Sequence, residues 1–382
     1  MTIVEDLLLI PVAVGSVYAA TTLLAVLLFA RRGEARGFPA SALPGVTILK
    51  PVHGLERGLE RNLRSACEQD YPEYQVVFCV QRLDDPALPL LRRLENEYGQ
   101  ARVTVAAEAS EPLLNGKIQN LQIGFRAARH DVLVVSDSDV FTPPDYLRAM
   151  VAPLADPDVG YVTSLYRGAC ARRWYEKLEL LTYNADFIPS VVFAHQTGTS
   201  GFCLGASVAL RRETLQVVGG LSSLADYLVE DYELGRRILA RGQRMRLAPY
   251  FVDLTVDLSG PGEWWRHQLY WDQNTRAAHP VGFTASVLTR LLPFALLFAA
   301  SRLFDPVGLI VLAGALVMRT ATAAATLAAM GDGVGLRALW LLPVRDLAGF
   351  VSWFVALRKR TFTWRGHEFG LTRDGRIVPR SP

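Results

Sequence analysis

The chain is poor in several things that would direct its reading elsewhere. It has four cysteines in 382 residues (Cys67, Cys79, Cys170 and Cys203), with no C-x-x-C and no histidine nearby at zinc spacing. That excludes a disulfide scaffold and a zinc module, and it suits reduced thiols in a cytosolic domain. No basic-aromatic stripe stands out and the net charge is only +3, so nucleic acid is not an expected partner. Internal repeats and low-complexity segments are lacking. Lysine is scarce too: Lys50, Lys117, Lys177 and Lys359 are the only lysines among 40 basic residues. Arginine dominance of this kind fits a GC-rich, bacterial genome.

What is present is apolar residue, 51% of the chain, concentrated at the two ends. Residues 7–29 carry no charge, and 23 residues at about 1.5 Å each span a hydrocarbon core of about 30 Å. Glu5 and Asp6 precede the run and Arg31, Arg32 and Arg36 follow it. The charge order is the reverse of a cleaved signal peptide. It predicts an anchor over residues 1–35 with the following domain cytoplasmic. Three further apolar stretches, 281–301, 306–330 and 338–357, each contain or touch a charge: Arg290, Arg319, and Arg345 with Asp346. The tail, residues 358–382, is basic and by the positive-inside rule stays inside. One of the three stretches is therefore expected not to cross. The first is the best candidate, because Arg290 and Pro293 suit an interfacial or re-entrant helix.

Residues 36–280 read as an α/β domain. Apolar strands at 46–49, 75–80, 103–106 and 132–135 alternate with helical patterns such as 118–128. That alternation predicts a mainly parallel sheet covered on both faces. In such sheets ligands collect beyond the carboxyl ends of the strands. There "VVSDSDVF" places Asp137, Ser138 and Asp139. Two hard carboxylates in a partly open site suit Mg2+ or Mn2+ shared with a diphosphate; the alternative is a solvated turn or a helix cap at Ser138. Asp84 and Asp85 follow the second strand, either near a nucleotide or as a cap for the helix near Pro86. Asn115, Lys117 and Asn120 open a helix with a cation and amides. Glu230 and Asp231 open another, where acids satisfy a helix dipole or do chemistry. "GEWWRHQLYWDQNTR" is dense in aromatics and holds His267 and Trp271.

In order, "VQRLDDPA", "NGKIQNL", "VSDSDV", "VEDYELGRR" and "HQLYW" resemble the ceramide glucosyltransferase family, glycosyltransferase family 21, with its related bacterial glycosyltransferases of hopanoid lipids. The likeness covers almost the whole chain. It implies a GT-A-type nucleotide-sugar-binding domain, with N- and C-terminal transmembrane or interfacial helices, a UDP-sugar donor, a divalent cation, and a membrane lipid acceptor. It also implies that Asp84 or Asp85 touches uridine, that Asp137 and Asp139 hold the metal diphosphate, and that Asp231 is the acceptor base. Asn115, Lys117, His267 and Trp271 would complete substrate binding. Two departures stand out. His267 and Tyr270 occupy positions where the family carries cationic or amide side chains, and Asn115-Gly116-Lys117 replaces Asn-Pro-Lys. The expected activity is inverting transfer of a hexosyl unit, glucose or N-acetylglucosamine in type, to a hydroxyl of a ceramide-like or hopanoid lipid at the cytoplasmic face of the bacterial inner membrane. The competing readings are a non-catalytic membrane scaffold or lipid carrier, a polyprenyl-phosphate sugar transferase, and a processive polysaccharide synthase.

Overall fold

Strand β1 (Val46–Pro51) is buried along its whole length, as is β2 (Tyr74–Val80). Continuous apolar runs of this kind fit the middle of a parallel sheet with both faces covered. In the computed structural model β1 pairs in parallel with β2 and with β4 (Val132–Ser136), and β2 with β3 (Val103–Ala107). The full order is β3-β2-β1-β4-β7-β6-β8-β5, where β5 is Val140–Phe141, β6 Val159–Ala169, β7 Ser207–Arg211 and β8 Arg244–Thr255. From β4 onward the sheet turns antiparallel: β7 runs against β4 and β6, and β5 against β8. All four parallel strands thus end on one edge, and the residues following β1, β2 and β4 include Val52, Gln81 and Asp137.

The described residues are 3–30, 43–109, 113–198, 201–359, 361–364, 367–372 and 375–379. Arg31, Arg32 and Arg36 of the basic flank, and Arg360, Arg365, Arg373, Asp374 and Arg380 of the tail, lie outside them.

The chain forms two compact units. The sheet unit takes residues 33–167, 200–255 and 372–382; residues 168–199 and 256–280 pack instead with the terminal helices. The reason is local. The helix Ile188–Thr197 packs on the N-terminal helix Ile3–Ala30, and Gln196 Nε2 donates to the Ala25 carbonyl at 2.7 Å. The helix Pro261–Ala278 packs on Leu342–Arg358. The tail is not merely a basic extension. It contains the antiparallel pair β9 (Thr361–Trp364) and β10 (His367–Leu371), then β11 (Ile377–Pro379), and Ile377 N–H donates to the Asp226 carbonyl at 2.7 Å.

Among the described residues three helices are long and apolar enough to cross a membrane: Ile3–Phe29, Pro306–Ala329 and Leu339–Arg358. This is a membrane protein. The segments Pro280–Thr289 and Leu291–Ser301 meet at a 50° bend, a broken span or a re-entrant loop, with Arg290 at the break. Of the charges that interrupt the apolar stretches, Arg319, Arg345 and Asp346 pair within this unit. Arg319 Nε lies 2.8 Å from Asp346, Arg345 Nη1 3.1 Å from Asp346, and Arg345 also binds Asp186. Intramembrane charges persist when they find such partners away from lipid.

In the sheet unit, the helix Gly116–Ala127 lies close against β2. A Cβ on Gly124 would stand 2.1 Å from the sealed Cys79 Sγ. Gly124→Ala should therefore cost about 1–3 kcal/mol through overpacking. Thermal unfolding of the detergent-solubilised chain should show a lower midpoint; an unchanged midpoint would contradict this packing.

Candidate active site

Asp137 and Asp139 sit on the tight turn joining β4 to β5, not on a helix, so Ser138 caps nothing. Sequence fixes their placement through both neighbours. Asp137 N–H donates to the Ala206 carbonyl at 3.2 Å just before β7, and Thr255 N–H donates to the Asp139 carbonyl at 3.0 Å at the end of β8. Beneath the turn lies Lys50, fully buried at the end of β1. Its ammonium donates to Ser136 Oγ (3.2 Å), the Asp137 carbonyl (2.8 Å) and the Val140 carbonyl (3.1 Å). Burial lowers the Lys50 ammonium to about 8, with Asp139 and Asp137 acting against that fall.

A second cation reaches the turn from the side. Lys117, in the first turn of Gly116–Ala127, places Nζ 2.7 Å from Asp137 Oδ1 and 3.5 Å from Glu230, and donates to the Gly205 carbonyl at 3.1 Å. Burial opposes its charge, but Asp137, Glu230 and Asp231 outweigh burial and hold the ammonium well above its ordinary range. Asn115 caps that helix: its Oδ1 accepts from Lys117 N–H (3.0 Å) and Ile118 N–H (3.2 Å). Its Nδ2 donates to Glu230 Oε2 (3.1 Å). Asp231 opens the helix Glu230–Leu239 and accepts from Gly205 N–H (2.6 Å) and Tyr232 N–H (2.7 Å). Burial, then Glu230, pushes its carboxyl up to about 7. Gly205 is glycine because a Cβ there would meet Asp231 Oδ2 at 2.6 Å and Lys117 Nζ at 3.2 Å.

Asp137, Asp139, Lys117, Asn115 and Asp231 are therefore brought together in the sheet unit, linked through Gly205 and Glu230. Asp84 and Asp85 fare differently. Asp85 is buried and occupied: both its oxygens accept from Gly54 N–H at 3.0 Å, Oδ1 accepts from Ala87 N–H at 2.9 Å, and His53 lies 3.5 Å away. It ties the loop after β1 to the turn before the helix Leu88–Tyr98, whose N-cap position is Ala87, without itself being the cap. Asp84 is exposed and paired with Arg82 at 2.6 Å. His267 and Trp271 belong to the other unit. His267 Nδ1 lies 3.4 Å from the buried Glu179, whose other oxygen takes Gln268 Nε2 at 2.6 Å. Trp271 packs edge-on against Tyr183, centroids 5.8 Å apart, and near Phe187.

The carboxylate pair fits a divalent cation on the structure's own terms. Asp139 Oδ1 is shut off from solvent and accepts no hydrogen bond. Burial, then Asp137 and Glu56, pushes its carboxyl up to about 7. Mg2+ and Mn2+ accept a donor set of two carboxylates completed by substrate oxygens, and Asp137 and Asp139 would supply the two carboxylates. Lys50 and Gly205 join the site without belonging to any of the sequence motifs above. The signal for Lys50 was a lysine closing an otherwise apolar strand.

The parallel half-sheet, the acidic turn at its edge and the antiparallel continuation define a GT-A-type glycosyltransferase fold. A mannosyltransferase of Pyrobaculum calidifontis, solved in complex with GDP-Man and Mn2+, shares it: TM-score 0.55 and 22% identity, covering 92% of this chain and 98% of that one. The sequence profile of glycosyl transferase family 21 matches residues 7–377, and the chain belongs to that family. Among curated relatives, ceramide glucosyltransferase 3 of Caenorhabditis elegans is 25% identical over 368 residues, covering 89% of this chain and 75% of that protein. Ceramide glucosyltransferase 1 of the same organism is 24% identical over 214 residues, 56% of this chain and 46% of that protein. This chain thus spans about half the length of the latter and three quarters of the former.

A carboxyl raised by folding holds its proton more tightly folded than unfolded, so stability is lost as pH climbs from about 4 through the folded value near 7. Asp139→Asn should therefore stabilise the metal-free chain at pH 8, by on the order of 1–4 kcal/mol, with the gain vanishing below about pH 4. Added Mn2+ should raise the unfolding midpoint of the parent chain and leave the variant's unmoved. Equal response of both to Mn2+ would refute the assignment of Asp139.

Proposed function

We propose that this protein transfers a hexosyl unit from a UDP-sugar to a hydroxyl of an uncharged membrane lipid, ceramide-like or hopanoid, with inversion at the anomeric carbon. The observation that carries this reading is the assembly of two carboxylates, one lysine and a proton-hungry aspartate around a single turn at the sheet edge. The likeness to ceramide glucosyltransferases supports a lipid acceptor and a glucose-type donor. The basic residues Arg31, Arg32 and Arg36 after the N-terminal helix support a cytoplasmic active site at a bacterial inner membrane.

The chemistry follows from the residues. A lipid hydroxyl is a weak nucleophile near neutral pH and must lose its proton as it attacks. Asp231 takes that proton; its oxygens are fixed by the Gly205 and Tyr232 amides, and its raised affinity for protons suits a base working near pH 7. The hydroxyl oxygen forms the new bond to the anomeric carbon while the bond to the diphosphate oxygen breaks, and UDP departs with the electron pair. Lys117 stands where negative charge grows on that diphosphate. Asp137 and Asp139 would hold Mg2+ or Mn2+, which when bound neutralises the leaving diphosphate. Asn115 keeps Lys117 and Glu230 in register, and Asp85 shapes the loop after β1 at the sheet edge where the nucleotide would lie.

Purified protein incubated with UDP-sugars, Mn2+ and total lipid should yield a glycolipid detectable by mass spectrometry. The rate should rise with pH through about 7 as Asp231 ionises. Asp231→Asn should lower turnover at least about a hundredfold with UDP-sugar affinity unchanged. Normal turnover in that variant would overturn the base assignment, and no metal-dependent product with any lipid would favour a scaffold.

A further inference from the structure

The membrane unit contains a cavity of about 250 Å3 lined by none of the residues assigned to the transfer step. It is smaller than the ~300–1,000 Å3 typical of sites for whole small molecules, and so fits a head group rather than an entire lipid. One wall is a π-helical turn, Tyr183–Phe187, inserted between the helices Trp174–Thr182 and Ile188–Thr197. Such turns are rare and gather at functional sites. This one carries Asp186, which binds Arg345 and lies 3.8 Å from Arg319. Arg319 also donates to the Ala185 carbonyl at 3.0 Å, within the same turn. On the opposite side Asp272 accepts from Ser352 Oγ at 2.5 Å, and Arg290 lies at the bend between Thr289 and Leu291. Close helix packing shapes the space: a Cβ on Gly15 would stand 2.9 Å from Leu291 Cα.

The charges lining this cavity cancel. Asp186, Asp272 and Asp346 face Arg290, Arg319 and Arg345. Arg319 and Arg345 are committed to carboxylates, so among the described lining residues only Arg290 is left to meet the charge of a phosphate-bearing head. An uncharged head with both donors and acceptors enters at no such electrostatic cost. The surrounding helices include all three candidate spans, so an acyl chain attached to such a head has apolar surface to follow.

We propose that this cavity seats the uncharged polar head of the acceptor lipid, its amide or non-reacting hydroxyl groups bonded to Asp272 and Arg290, and that it excludes phosphate-headed lipids. The proposal rests on the lipid-transfer reading but concerns binding alone. Its test uses the full chain in detergent, without metal or nucleotide, and a fluorescent short-chain ceramide. Asp272→Asn and Arg290→Gln should each weaken ceramide binding about tenfold or more, with UDP affinity in the presence of Mn2+ unchanged. Unchanged ceramide binding in both folded variants overturns the site. A diazirine-bearing ceramide on the unaltered chain avoids dependence on variant folding: attachment should fall on the helix Pro261–Ala278, the 286–290 segment or Ile3–Ala30, and attachment confined to the sheet unit overturns the site. Dodecyl phosphate should compete at least about tenfold less well than unlabelled ceramide; equal competition overturns the exclusion. Ceramide bound in the cavity by a chain that makes no glycolipid would defeat the transfer reading and leave the site standing. Glycolipid synthesis with unaltered binding in the variants would defeat the site alone.

Discussion

Two carboxylates on one tight turn repel, and the protein supplies only part of the positive charge that would quiet them. Lys117 pairs with Asp137, whereas Lys50 spends its three bonds on Ser136 and on the Asp137 and Val140 carbonyls. Asp139 keeps an oxygen with no hydrogen-bond partner. Lys50 therefore acts as a brace beneath the turn, and Lys117 as the cation that pairs with its first carboxylate from the side. The remaining features of the centre depend on this arrangement. Gly205 must lack a side chain so that its carbonyl and amide can join Lys117 to Asp231, and Asn115 must cap the helix that carries Lys117.

The strands of the parallel half were legible because buried strands read as unbroken apolar runs, and Asp137 and Asp139 were legible because they follow one of them. The roles of Asp84 and Asp85 were not. Both readings of that pair place an acid at a strand end, and only the Gly54 and Ala87 amides show that Asp85 is engaged in holding the loop. Lys50 escaped notice because its partners lie 86 to 90 residues away, beyond any local pattern. The same holds for Gly205, whose meaning comes from Asp231 and Lys117 rather than from its own neighbourhood. The division of residues 168–199 from the sheet unit was hidden because a helix that packs on membrane helices and one that packs on a sheet share the same apolar stripe.

Charges within the apolar ends were the most ambiguous part of the sequence, since each weakened the case for a span. Their resolution is tertiary. Asp186, on a π-turn far along the chain, answers Arg345 and Arg319, and Asp346 completes the cluster. Charges that looked like obstacles to insertion are the polar lining of an internal cavity, and the apolar faces of the same helices remain free for lipid.

A divalent cation between Asp137 and Asp139 is the central expectation of the proposed chemistry. Anomalous scattering from crystals grown with Mn2+ and UDP measures this most directly. A manganese peak between the two carboxylates, shared with diphosphate oxygens, is the predicted result. Nucleotide seated at the sheet edge with manganese elsewhere, and both carboxylates turned away from the phosphates, would contradict it.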